Sequence, residues 1–202
     1  MRRLIVIAVI LVAALALYFF MFKNDAESTA EKQGPLKVSR HSAAFNNSFD
    51  SVMNSYFDLK NALVDADTVK AKIAVTNFVQ RVDSFSLEEL KKDSNAIFES
   101  AHMQLGDVKA NATSLLLQKD ITEMRKDFSM IGESMYPLLK LIHYEGKILY
   151  WQNCPMAFGD DKGANWISNT KEIVNPYLGK NHPEFKGSML HCGEVKDSIF
   201  AQ

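Results

Sequence analysis

Between residues 43 and 146 apolar side chains recur at steps of three and four, the spacing of one face of an α-helix. Phe45, Phe49, Val52, Tyr56, Leu59 and Leu63 form the first stripe. Asp65-Ala66-Asp67 interrupts it, with Asp67 placed to cap a second helix carrying Ala71, Val75, Phe78 and Val82. Ser86 followed by Glu89 reads as a capping box for a third helix, with the stripe Leu90, Ile97, Ala101, Leu105 and Val108. The fourth stripe runs Leu117, Ile121, Met124, Phe128, Ile131, Met135, Leu138, Ile142; Pro137 is expected to kink it and Gly146 to stop it. Four amphipathic helices with short connections predict an all-α domain, an up-and-down four-helix bundle. At helical spacing among Leu and Ile, Met124, Met130 and Met135 read as core filler.

The pattern differs at both ends. Met1-Arg2-Arg3 precedes nineteen residues, Leu4 to Phe22, without a charge or strongly polar group. As a helix that run is about 28 Å long, close to the thickness of a bilayer core. The arginines before it and Asp25 and Glu27 after it orient the segment with its start in the cytoplasm. Cleavage after Ala14-Leu15-Ala16 would leave a strongly apolar mature end, so an uncleaved N-terminal membrane helix over residues 1–23 is the preferred reading, with a cleaved signal as its rival. Residues 24–41 are polar, contain Gly34-Pro35 and read as a linker, which leaves 42–202 as the folded domain. The expected location is the cell inner membrane, with the domain in the periplasm.

From Tyr150 to Val195 helical periodicity is absent, and five of the nine glycines and three of the five prolines fall there, so an irregular C-terminal region packed on the bundle is expected, with residues 147–152 as a candidate strand. Both cysteines lie in it, Cys154 with Met156 two residues on and Cys192 with Met189 three residues before. Pro155 pushes Cys154 towards extended backbone, where Cys154 and Met156 would face one point. A single helical turn would bring Met189 and Cys192 together. Thiolate and thioether ligands select Cu(I), and Ag(I), over hard cations. The candidate metal ligands are therefore Cys154, Met156, Met189, Cys192 and His191, with His182 optional. Zinc is second, since it would need both cysteines and two histidines without the usual Cys-x-x-Cys spacing. A Cys154–Cys192 disulfide is the open alternative; it would close a loop of about 38 residues, worth on the order of 3–4 kcal/mol.

Charge and composition exclude other classes. A formal net charge of -1 over 202 residues, 47% of them hydrophobic, fits neither a polybasic nucleic-acid binder nor a disordered acidic chain. No nucleophile elbow, phosphate loop or dithiol-exchange motif is present, so an enzyme is not expected.

Tyr150, Cys154-Pro155-Met156-Ala157, Trp166, Asn175-Pro176-Tyr177-Leu178-Gly179 and Met189-Leu190-His191-Cys192-Gly193 resemble the hallmark of a bacterial exported family named "domain of unknown function 3347". Members also occur appended to periplasmic adaptors of copper and silver efflux pumps. The resemblance implies metal handling, with a heavy-metal efflux complex or a cuproprotein as partner. Ala157-Phe158 stands where related metal modules continue into His-Pro, so that histidine ligand is missing. The expected function is a membrane-tethered periplasmic protein that binds copper or silver, against a structural adaptor stapled by the disulfide.

Overall fold

The computed structural model describes residues 41–199 together with Tyr18. Apart from Tyr18, the anchor expected over 1–23 and most of the linker lie outside the described residues, and none of the described helices is long and apolar enough to cross a membrane. His41, the last residue of the expected linker, is already docked: it is buried, stacks on Phe45 and bonds through Nε2 to the Ile142 carbonyl at 2.6 Å.

Four helices follow the hydrophobic stripes: α1 (Ala43–Val64), α2 (Thr68–Ser84), α3 (Asn95–Leu117) and α4 (Ile121–Leu141). Each begins where a side chain satisfies a free backbone N–H. Ser42 Oγ accepts from Phe45 N, Asp67 Oδ1 from Lys70 N, Ser94 Oγ from Ile97 N, and Asp120 Oδ1 from Thr122 N and Glu123 N. The stripes face inward. Phe49, Val52, Tyr56, Leu59, Leu63, Val75, Phe78, Val108, Phe128, Ile131, Met135 and Leu138 are all fully buried. α1 packs on α2, α2 on α3, α3 on α4, and α4 back on α1.

Three local expectations change. Ser86 and Glu89 do not make a capping box for α3: residues Glu88–Lys92 form a short 3₁₀ turn, and Ser94 starts the helix. Glu89 instead accepts from the N–H and hydroxyl of Ser42, at 2.6 and 2.7 Å, so it braces the start of α1. Leu117 belongs to the exposed end of α3. α4 runs through Pro137 and stops at Leu141, with His143 rather than Gly146 taking the left-handed backbone (φ 47°) past its end.

The domain is not all-α. Its C-terminal region contains an antiparallel sheet in the order β2-β1-β3, with β1 (Leu149–Cys154), β2 (Ala164–Ser168) and β3 (Glu194–Ile199). Cys154 pairs with Ala164 and Asn153 with Glu194, and a bulge interrupts the β1–β3 register at Trp151/Gln152. The sheet lies on the helices: Trp151 stacks on Tyr136 of α4 at 4.3 Å, and Ile167 N donates to Tyr56 Oη of α1 at 3.1 Å. At Gly132 of α4 an added Cβ would sit 3.3 Å from the Asn165 carbonyl, so the missing side chain allows this close approach.

Candidate functional site

β1 is covered on both faces. Leu149 and Trp151 lie on one, with Trp151 against α4, while Gln152 and Cys154 point to the other, which the segment 169–193 covers. Gln152 Nε2 donates to the carbonyls of Thr170, Lys171 and Glu172, pinning the start of that cover. Cys154, the last residue of β1, is fully buried.

Cys192 reaches it through a set of polar contacts around Asn175. The Asn175 side chain is fully buried; its Oδ1 accepts from Tyr177 N and Leu178 N, and its Nδ2 donates to the Cys192 carbonyl at 2.8 Å. Its backbone N–H donates to the Leu190 carbonyl at 2.8 Å. The same loop is anchored at the other end by Lys180 N on the Val64 carbonyl, and a Cβ on Gly179 would collide with that carbonyl. Met189 and Cys192 share one turn, closed by Cys192 N donating to the Met189 carbonyl at 3.0 Å, as the spacing predicts. Gly193 follows with φ +141°, where an added Cβ would lie 2.5 Å from the Asn153 carbonyl.

The result is a pair of free thiols with Cys154 Sγ and Cys192 Sγ 3.4 Å apart. Cys154 is sealed in and Cys192 is half-buried. Burial, and then the neighbouring Cys154 sulfur, push the Cys192 thiol up to about 11.

The other expected ligands are placed differently from one another. Met156 lies in the turn after β1, not on extended backbone, so the strand alternation argued from the sequence does not apply to it. Met189 is half-buried against the core. His191 is exposed and its Nδ1 bonds to the Ile173 carbonyl at 2.8 Å, while His182 Nδ1 accepts from Glu184 N and Phe185 N. Burial, and secondarily the charge of Arg125, lower the His182 pKa. Among the described residues no three His, Cys, Asp or Glu side chains converge on one point.

A family model described as "protein of unknown function (DUF3347)" matches residues 52–146. Those residues belong to the DUF3347 family. No curated protein and no solved structure matches the chain. The DUF3347 match covers most of α1 and all of α2, α3 and α4, and it ends before β1, so both cysteines lie beyond it.

Two residues outside the sequence-derived set organise this region, Arg125 by tying it to the helices and Asn175 by ordering the loop from within. Arg125 of α4 is buried, and its Nε and Nη2 donate to the carbonyls of Pro176 and Leu63 at 2.9 and 3.0 Å. Asn175 makes the contacts already described. In the sequence Arg125 falls one place after the apolar Met124, and only its misfit with a solvated face marks it; Asn175 reads merely as a turn former before Pro176.

Proposed function

We propose that this protein binds a soft cation as cargo, Cu(I) first and Ag(I) second, on the sulfurs of Cys154 and Cys192. The observation that carries the reading is the 3.4 Å separation of the two free thiols. Metal–thiolate bonds of about 2.3 Å place two sulfurs about 3.8 Å apart at a tetrahedral centre. A disulfide requires about 2.05 Å. The pair is therefore some 0.4 Å from the first arrangement and more than 1 Å from the second.

Two thiolates supply the main binding, and two protons leave as they form. Met189, in the same turn as Cys192, is the supporting thioether; Met156, His191 and His182 are secondary. Zinc ranks below copper because the histidines do not gather at the thiols. Cys192 is the accessible sulfur, so an incoming thiolate from a cuproprotein or a heavy-metal efflux complex would displace it first, leaving Cys154 to release the ion last. In this reading the protein is a carrier or buffer and not an enzyme. Residues 1–23 hold it at the inner membrane, with the domain in the periplasm.

The second reading uses the same two sulfurs. Cys154 and Cys192 join as a disulfide that staples the 169–193 segment to β1, and the protein is a structural adaptor. The burial of Cys154 favours it, since a sealed sulfur is protected from reduction.

Thiol counting followed by an anaerobic Cu(I) titration of the reduced full chain against a competing chelator separates them. One tight equivalent is expected, lost in Cys192→Ser and weakened by about tenfold in Met189→Leu. No binding by the reduced chain, with both thiols bridged as isolated, would make the staple the better account.

A further inference from the structure

A cleft of about 500 Å³ opens between the start of α4 and the loop residues 156–160 and 177–185, in the size range of small-molecule sites. Its floor includes Arg125, Tyr177 and Leu178, all buried. Met156, Phe158 and Phe185 supply apolar wall, and Asp160, Glu184 and Lys126 are exposed at its edge.

Arg125 is the unusual member. It is 2% exposed, yet no carboxylate lies within ion-pair distance of it among the described residues. A guanidinium has five N–H donors, and the Leu63 and Pro176 carbonyls take two of them. A desolvated cation without a counter-charge is costly, and a carboxylate arriving through the cleft would supply both the charge and the acceptors. Lys126 is tied to Glu123 at 2.7 Å, so the buried Arg125 is the cation left for a ligand. Asp160 and Glu184 would disfavour a simple anion but suit a ligand that carries an ammonium as well.

We propose that this cleft binds a small zwitterion with an apolar side chain, an α-amino acid being the simplest, its carboxylate on Arg125, its ammonium towards Asp160 and Glu184, and its side chain against Met156, Phe158 and Phe185. The site goes beyond the metal reading and does not depend on it.

Calorimetric titration of the full chain with L-phenylalanine, phenylalaninamide and 3-phenylpropionate tests each part. Phenylalanine is expected to bind saturably, and the amide, which lacks the carboxylate, at least about tenfold more weakly. The double variant Asp160→Asn with Glu184→Gln is expected to weaken phenylalanine and to tighten phenylpropionate, which the two carboxylates otherwise repel; both positions are exposed, so folding is not at stake. Arg125→Met, which removes the charge, should abolish the preference for the acid over the amide, and Arg125→Lys, which keeps it, should retain part of that preference. Cys192→Ser should leave phenylalanine binding intact, which keeps this result separate from the fate of the copper reading. No saturable binding of phenylalanine up to ~10 mM would overturn the proposal. So would an amide that binds as tightly as the acid, or phenylpropionate that binds as tightly as phenylalanine.

Discussion

Lys60 is 4% exposed, with Nζ 3.5 Å from Ser168 Oγ and 5.7 Å from the centre of the Phe57 ring. Burial lowers its pKa from 10.5 to about 8. Between those values the unfolded chain holds a proton that the folded chain has lost, so the Lys60 contribution makes folding more favourable as pH rises from 8 towards 10.5. Below pH 8 both states are protonated, and the buried charge destabilises the fold by roughly 3 kcal/mol. Lys60→Met is therefore expected to stabilise the protein at pH 7 and to flatten the rise above pH 8, measured as the difference between the two denaturation curves. Gly193 is a second residue with a single physical reason for its identity. Gly193→Ala must strain φ +141° or push off the Asn153 carbonyl, which predicts a loss of about 1–3 kcal/mol in urea unfolding and a displaced Cys192. The sequence marks both sites poorly: Lys60 lies among charged and polar neighbours on a helix, and a glycine after Cys192 reads as a simple terminator.

At the scale of elements, the four helices were legible because each buries one stripe and exposes the rest. Asp67 as a cap was legible for the same reason, since the stripe breaks just before it. The Ser86–Glu89 box was a misreading of a true chemical preference: Glu89 does accept from a cap residue, but that residue is Ser42, distant in sequence. Of the strands only β1 was anticipated, as residues 147–152, and its bounds were blurred because it is covered on both faces, which erases the alternation by which a half-buried strand is recognised. Their cover depends on Asn175. Asn175→Ala removes three buried side-chain hydrogen bonds and is expected to cost about 3 kcal/mol in urea unfolding. Asn175→Asp keeps the acceptor for Tyr177 N and Leu178 N but sets a buried carboxylate oxygen against the Cys192 carbonyl, so it too is expected to lower the thermal stability.

For the whole molecule, the DUF3347 helices form the support, and the sheet with its covering loop brings two cysteines separated by 38 positions to 3.4 Å. The sulfur spacing anticipates a turn shared by Met189 and Cys192, which is present, whereas Met156, in the turn after β1, does not follow the extended-strand argument. The cleft itself left no trace in the sequence, because its floor joins α4 to a loop more than fifty residues away. If the soft cation binds only the folded state, its binding adds stability, about 2.7 kcal/mol at a free concentration of 100 Kd, or several degrees in Tm. That gain should vanish in Cys192→Ser under thermal denaturation. The most direct measurement is X-ray absorption at the copper edge of the reduced full chain loaded with one equivalent of Cu(I). The thiol-pair account predicts a first shell dominated by sulfur at about 2.3 Å, lost in Cys192→Ser. A first shell of nitrogen or oxygen without sulfur, or a spectrum unchanged by that substitution, would contradict it.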